Sequence, residues 1–225
     1  MVGDGDVYGG RLVDTRNRRD DFYLLGHSWG GILATEYALR HGEHLKGLII
    51  SNMMMSIPDY NRYAETVLAK QMDPAIVAEI KAIEARGEYE SSRYMELLVP
   101  HFYQKHVCRL PEWPDAVNRG LSRINRQIYV LMQGPSEFGA SGLLEKWDRK
   151  ADLPKLAMPT LVIGASHDTM DPEHMRWMST QVQHGSFLLC PRGSHMAMWD
   201  DQDTYVRGLR MFLEAIDRGA QRVAL

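Results

Sequence analysis

The sequence predicts an α/β fold, in which parallel strands alternate with helices. Apolar runs at residues 22–25, 45–50, 160–163 and 186–190 have the length of buried strands, and helical patterns follow several of them. A strand, a helix and a second strand in that order make a βαβ unit, which requires a parallel pair and a right-handed crossover. We therefore expect a parallel sheet of about four strands.

The first βαβ unit begins with residues 22–25 (FYLL), which end at a glycine. The helical pattern of residues 29–41 then stops at Gly42, and residues 45–50 (LKGLII) form the next strand. The pattern resumes late in the chain with the strand at residues 160–163 (TLVI). The remaining predicted elements are a helix at 172–182, a strand at 186–190 and a closing amphipathic helix at 201–216.

Between these two parts, residues 53–150 have a different character. They carry helical patterns and no convincing strand, so we expect a helical insertion in a core made of residues 1–52 and 151–225. Because proline lacks an amide hydrogen, Pro100 should end or kink the helix in which it lies. The predicted helices of the insertion are residues 60–71, 74–86, 89–107 and 114–132.

Composition excludes several function classes. The formal net charge is −3, so neither nucleic acid nor an anionic membrane is an expected partner. The one basic run is interleaved with aspartates and is interpreted as a solvated face; its arginines are Arg11, Arg16, Arg18 and Arg19. We find no apolar stretch long enough to cross a bilayer, no signal peptide, and too few cysteines for a disulfide framework. A cytoplasmic location is expected.

The sharpest motif is GHSWGG at residues 26–31, placed between a predicted strand and a predicted helix. It matches G-x-S-x-G, the nucleophile elbow, in which a tight turn lifts a serine hydroxyl above the sheet. Ser28 is the candidate nucleophile, and small neighbours let strand and helix approach each other. The amide of Trp29, at the helix N-terminus, is aimed at a developing oxyanion.

A serine hydroxyl needs a base, and the base needs an orienting carboxylate. Asp168 follows the strand at residues 160–163, and His195 follows the strand at 186–190. Carboxyl ends of parallel strands meet at one edge of a sheet, so these residues are the expected acid and base, with Asp171 as the reserve acid. The other histidines show no ligand spacing, and we predict neither a metal nor a cofactor.

These motifs resemble those of the proline iminopeptidases, which are α/β-hydrolases with a helical cap. The resemblance runs from about residue 21 to the C-terminus and includes FYLLGHSWGG, LKGLIISNMM and SIPDYNRY. The QGPSEF segment at residues 133–138 is similar to the GPxEF segment of that family, and GASHDTMDP and CPRGSHMAMWDD match its closing motifs. The resemblance implies a serine hydrolase that releases N-terminal proline from small peptides through an acyl-enzyme.

The resemblance also implies roles for residues of the cap. Glu137 would bind the free α-amino group of the substrate, since a carboxylate beside a dry pocket holds an ammonium through a charge-assisted hydrogen bond. Trp29 would form a wall for the proline ring, and Tyr129 is counted with the substrate-binding residues. In some members a second glutamate directly follows the catalytic aspartate; here Thr169 stands at that place.

The resemblance implies a further segment at the front. Family members place several strands and an HGGPG loop, which donates the second oxyanion amide, before the elbow; residues 1–21 contain no HGGP. We therefore expect an N-terminally truncated fold with an exposed sheet edge, through which a homo-oligomer could form. A lost oxyanion donor costs on the order of a hundredfold in turnover.

Two other functions are alternatives to the release of N-terminal proline. The chain is then an esterase or amidase of the same fold that acts on another small substrate, or a catalytically impaired remnant.

Overall fold

A computed structural model describes residues 7–8, 11–12 and 21–225, and for the first two of these ranges it describes the backbone alone. There, β1 (Val7–Tyr8) and β2 (Arg11–Leu12) form a short antiparallel pair that the sequence pattern does not predict. The side chains of the basic run, Arg11, Arg16, Arg18 and Arg19, lie outside the described part of the chain.

The main sheet has four parallel strands in the described residues, as predicted. In spatial order they are β3 (Phe22–His27), β4 (Leu45–Ser51), β5 (Pro159–Ala165) and β6 (His184–Cys190). Each is longer than its apolar run, because the ladder continues into small and polar residues at the strand ends. Since all four run the same way, the loops that follow them meet at one edge.

Helices cover both faces of this sheet and fill the insertion. In chain order they are α1 (Trp29–His41), α2 (Ile57–Tyr63), α3 (Pro74–Ala85), α4 (Ser92–Leu98), α5 (Gln104–His106), α6 (Asp115–Ser122), α7 (Arg126–Met132), α8 (Pro172–Gln181), α9 (Ala197–Asp200) and α10 (Gln202–Asp217). A 3-10 turn at Gly42–His44 precedes β4, and another at Lys150–Lys155 precedes β5.

The two faces of the sheet have separate cores. Side chains of α1 and α8 pack with Leu48, Ile50 and Val162 on one face. Side chains of α9 and α10 pack with Ile49 and Leu161 on the other. Neighbouring residues of a strand point to opposite faces, so a strand buried on both sides reads as a continuous apolar run. That is why these strands were recognisable in the sequence.

The insertion departs from the predicted helices in several places. The helix predicted for residues 60–71 begins earlier and ends in a π-helical turn, Ala64–Leu68, and a 3-10 turn, Ala69–Gln71, and the helix predicted for residues 89–107 begins only with α4. A single helix over residues 114–132 is wrong, because the chain forms α6 and α7 with a break before Asn125. The side chain of Asn125 accepts a hydrogen bond from the amide of Ile128 at 3.2 Å and so caps the second helix. At Pro100, as expected for a proline, α4 passes into a π-helical turn, Val99–Tyr103, before α5 completes the helix.

The insertion has a hydrophobic cluster of its own, which includes Leu68, Ile80, Tyr94 and Phe102 and reaches Phe138. Met53, Met54 and Met55 instead pack into the main core and are almost fully buried. The division at residues 52/53 and 150/151 stays a prediction. No helix within residues 21–225 is both long and apolar enough to cross a bilayer.

Candidate active site

The turn between β3 and α1 has a strained backbone at Ser28. This residue has φ 54° and ψ −130°, a left-handed conformation that is rare for a residue with a side chain. A Cβ on Gly26 would lie 2.1 Å from the carbonyl oxygen of Gly30, and one on Gly31 would lie 2.8 Å from the Cβ of Met53. Gly26 and Gly31 therefore let the strand, the helix and the segment after β4 pack closely. Gly30 has no such neighbour.

The structure brings together the three residues expected from chain order. His195 Nε2 lies 2.8 Å from Ser28 Oγ, and His195 Nδ1 lies 2.8 Å from Asp168 Oδ1. Asp168 and His195 are buried, with exposed fractions of 1% and 3%. An imidazole in this position can take the hydroxyl proton at one nitrogen while the carboxylate holds the other nitrogen protonated.

Burial and charge act in opposite directions on His195. Burial by itself lowers the pKa of an imidazole, because it disfavours the charged form. The adjacent Asp168 carboxylate, through its charge and its hydrogen bond, outweighs burial, and the pKa of His195 is raised. The charge of Glu137 acts in the same direction, so that carboxylate is close enough to influence the imidazole.

Asp171, the reserve acid, has a different role. Its Oδ1 accepts a hydrogen bond from the amide of Glu173 at 2.9 Å, so it caps the N-terminus of α8. The buried Cys190 is no competing nucleophile, because burial raises the pKa of its thiol to about 12.

The loop that carries His195 is attached to the insertion. The amide of His195 donates to the carbonyl of His106 at 2.9 Å, and the amide of Met196 donates to the carbonyl of Val107 at 2.8 Å. Within the loop, the Ser194 amide donates to Asp200 Oδ1 at 3.0 Å. The position of the imidazole therefore depends on contacts from both the core and the insertion.

His27, the variable residue of the elbow, packs beside the imidazole. The two rings have centroids 5.0 Å apart with an interplanar angle of 46°. Burial, with a smaller contribution from His195, lowers the pKa of His27 to about 3, so this ring is neutral at physiological pH. Its Nε2 has no hydrogen-bond partner in the described part of the molecule.

Glu137 is surrounded by tyrosine hydroxyls from the insertion. Tyr129 donates to Glu137 Oε1 at 2.5 Å, and Tyr60 donates to the Glu137 backbone carbonyl at 2.5 Å. The Glu137 amide donates to the Tyr103 hydroxyl at 3.3 Å. Burial, followed by the charge of Glu137, raises the pKa of all three phenols, so they stay protonated and can donate.

The remaining predicted residue, Trp29, is the first residue of α1 and is half-buried. The first amides of a helix have no partner within the helix, so the Trp29 amide is available to bind an anion. Thr169 stands between acid and base, since its Oγ1 lies 3.3 Å from Asp168 Oδ1 and 3.3 Å from His195 Nδ1.

Sequence reasoning missed several residues that contact this site: Asn52, Tyr60 and Tyr103. It named Thr169 only as a departure from the family pattern. Asn52 had a usable signal, because it directly follows β4 at the same sheet edge as Asp168 and His195. Tyr60 lies within the SIPDYNRY motif that carries the family resemblance, but the motif assigns it no role, and Tyr103 had no signal.

One group of potential metal ligands occurs among residues 21–225: the donor atoms of His41, Glu43 and His44 lie within 4.8 Å of one another. This group lies at the end of α1, just before β4 begins, whereas the triad lies where the strands end. It takes no part in the site around Ser28.

Comparisons with known proteins identify the fold and the family. A family described as alpha/beta hydrolase fold matches residues 15–202. A proline iminopeptidase of Flavobacterium johnsoniae is 55% identical over 199 residues, which is 88% of this chain and 67% of that protein. The chain belongs to the proline iminopeptidase family of α/β-hydrolases. It spans about two thirds of the length of this relative.

Two solved structures share the fold of this chain. The crystal structure of VinJ matches with a TM-score of 0.83 and 26% identity, over 88% of this chain and 67% of that one. The crystal structure of the proline iminopeptidase of Mycobacterium smegmatis matches with a TM-score of 0.77 and 27% identity, over 88% of this chain and 66% of that one. The α/β-hydrolase fold expected from the sequence is confirmed.

Proposed function

We propose that this chain is a serine hydrolase that releases proline from the N-terminus of small peptides. The observation that carries the proposal is the continuous contact from Ser28 Oγ through the His195 imidazole to Asp168, with 2.8 Å at each step. Membership of the proline iminopeptidase family supports the substrate class. The reaction is acyl transfer to serine, followed by hydrolysis of the acyl-enzyme.

In the first step, His195 Nε2 takes the proton of Ser28 as Oγ attacks the carbonyl carbon of the N-terminal proline. The Trp29 amide stabilises the negative charge that develops on the carbonyl oxygen. His195 then gives its proton to the leaving amine, and the peptide bond breaks. A water molecule, deprotonated by the same imidazole, releases proline from Ser28.

Glu137 gives this site its preference for a free N-terminus. The substrate presents a positively charged secondary amine, which a carboxylate binds by a charge-assisted hydrogen bond. Tyr129 holds one oxygen of Glu137, and Tyr60 holds its backbone carbonyl, so the second carboxylate oxygen is presented with little loss of side-chain entropy. Trp29, next to the nucleophile, supplies an apolar surface for the ring.

The test compares a chromogenic proline anilide with 4-nitrophenyl acetate, which has no amine. For Glu137→Gln we expect kcat/KM on the anilide to fall about a hundredfold or more, because the charge that holds the amine is lost. Ester hydrolysis should change by less than about threefold. Glu145→Gln, on the exposed surface of the insertion, is the matched control and should leave both rates unchanged.

A second candidate keeps the triad and changes the substrate to a simple ester or amide. It is favoured by Thr169, whose hydroxyl contacts Asp168 and His195 at the place where some relatives have a second glutamate for the amine. Equal losses of anilide and ester hydrolysis in Glu137→Gln, or wild-type turnover of the ester alone, would support this candidate and contradict the peptidase proposal.

A further inference from the structure

We infer that Asn52 is a positioning residue that holds the acid and the base loop of the triad in place. It follows β4 directly, at the sheet edge where the triad lies, and it is fully buried. Its φ of 52° is left-handed, a conformation that asparagine tolerates better than most residues. The inference rests on the proposed function, since it concerns the same serine chemistry.

The Asn52 side chain joins two loops that are distant in sequence. Its Nδ2 donates to Asp168 Oδ2 at 2.7 Å and to the carbonyl oxygen of Ser194 at 3.3 Å. Ser194 directly precedes His195, so one amide group fixes the orienting carboxylate and the backbone beside the base. An amide NH2 has two hydrogens, and both are used here.

The orientation of this amide is fixed from its other side. The Ser51 hydroxyl donates to Asn52 Oδ1 at 2.8 Å, and the Tyr205 hydroxyl donates to Ser51 Oγ at 3.0 Å. A carboxylate only accepts hydrogen bonds, so the NH2 of Asn52 must face Asp168. An ionised aspartate at position 52 has no hydrogen to donate to the Asp168 carboxylate, and a leucine there has no polar hydrogen at all.

The backbone of the same two residues holds the nucleophile turn. The Ser28 amide donates to the Ser51 carbonyl at 3.0 Å, and the Asn52 amide donates to the Ile163 carbonyl on β5 at 2.8 Å. Residues 51–52 thus contact the segments that carry the nucleophile, the acid and the base. Of these contacts, the side-chain amide is the one that a substitution can remove without altering the backbone.

Loss of the amide would leave Asp168 Oδ2 buried without the partner it has in this structure. Oδ1 is held by the His195 ring and by the Met170 amide, which donates to it at 3.1 Å. A carboxylate fixed on one oxygen can rotate, and its hydrogen bond to the imidazole weakens. The expected effect falls on the chemical step, because Asn52 makes no contact with the proposed amine-binding group, Glu137.

The experiment measures how fast a fluorophosphonate labels Ser28, as a function of pH, in Asn52→Gly and Asn52→Asp. Glycine suits the left-handed backbone, so Asn52→Gly removes the amide without adding strain. We expect labelling to slow at least tenfold in Asn52→Gly. Thermal unfolding of this variant should stay as cooperative as that of the wild type, which shows that it is folded. In Asn52→Asp two buried carboxyls stand side by side, and such a pair is fully ionised only at high pH, so labelling should slow in this variant too and its pH profile should differ from that of the wild type.

Asn118→Asp is the control for charge, since it makes the same change on the exposed surface of α6. A folded Asn52 variant whose labelling rate and pH profile equal those of the wild type would overturn the inference. Asn52→Asp carries the test if Asn52→Gly does not fold. The labelling reaction needs no peptide substrate. A failure to cleave proline anilides would therefore contradict the proposed function and leave the result for Asn52 intact.

Discussion

At the scale of single residues, the chemistry depends on an imidazole held between two opposing influences. Burial favours neutral His195, and the neighbouring Asp168 favours the protonated form and prevails. His27, which packs on the same ring, is half-buried and neutral, so it adds no positive charge that would counter the effect of Asp168. The raised pKa of His195 has a direct consequence for the pH dependence of the reaction.

Because only the neutral imidazole can take the serine proton, activity should be lost as the pH falls through the raised pKa. We expect the acidic limb of kcat/KM for 4-nitrophenyl acetate to have a midpoint above the ordinary imidazole value of about 6.5. Asp168→Asn should lower the rate by about 10⁴ and move the limb to lower pH. A wild-type midpoint at or below the ordinary value would contradict this account of the site.

The proposed nucleophile, acid and base were predictable because each follows a strand that the sequence makes obvious. Ser28, Asp168 and His195 needed only chain order and the rule that parallel strands end at one edge. Asn52 obeys the same rule, yet an amide after a strand has no chemistry of its own to attract notice. The tyrosines around Glu137 could not be found this way, since their meeting depends on how the helices of the insertion pack.

At the scale of elements, the strand-to-helix turn explains which glycines of its motif the fold requires. Gly26 faces the backbone of Gly30, whereas Gly30 has open space where its own Cβ would lie. We expect Gly26→Ala to destabilise the protein by about 3 kcal/mol or more, because backbone atoms cannot move aside as a flexible side chain can. Gly30→Ala should change stability by less than about 1 kcal/mol.

Urea denaturation of the two variants checks this expectation. A nearly equal loss in the free energy of unfolding of Gly26→Ala and Gly30→Ala would contradict it. The outcome separates two reasons for a glycine in G-x-S-x-G, namely close packing within the turn and access to the serine. Gly30→Ala could still slow the reaction of Ser28 without affecting the fold.

Element boundaries were less predictable than element types. Apolar runs located the cores of the strands, but β5 and β6 extend beyond them through residues such as Gly164 and His184, whose pairing is fixed by the neighbouring strand. Where residues 114–132 divide into two helices, the side chain of Asn125 caps the second helix. Such local hydrogen bonds compete with helix continuation and leave little trace in hydrophobic periodicity.

At the scale of the whole molecule, β3 leads into the turn that carries Ser28 and is an outermost strand of the sheet in the described part of the chain, with a neighbouring strand on one side only. Leu25 on this strand is 44% exposed. An apolar edge strand is a template for pairing with another chain. Self-association stays a prediction, and the structure identifies β3 as the strand through which two copies of the chain would pair.

We expect the chain to associate with rising concentration in size-exclusion chromatography with light scattering, and Leu25→Lys to weaken that association. A charge on an edge strand opposes pairing, because it would be buried in the new contact. Leu143→Lys, on the insertion and 70% exposed, is the control and should behave like the wild type. Identical monomers for wild type and Leu25→Lys at every concentration would rule out this interface.

The central claim is that His195 and Asp168 make the Ser28 hydroxyl reactive, and covalent labelling tests it most directly. After treatment with a fluorophosphonate, mass spectrometry of the digested protein should find the adduct on Ser28. The adduct should disappear in both Ser28→Ala and His195→Ala. A folded wild-type chain that gains no adduct, or one whose labelling is unaffected by His195→Ala, would contradict the account.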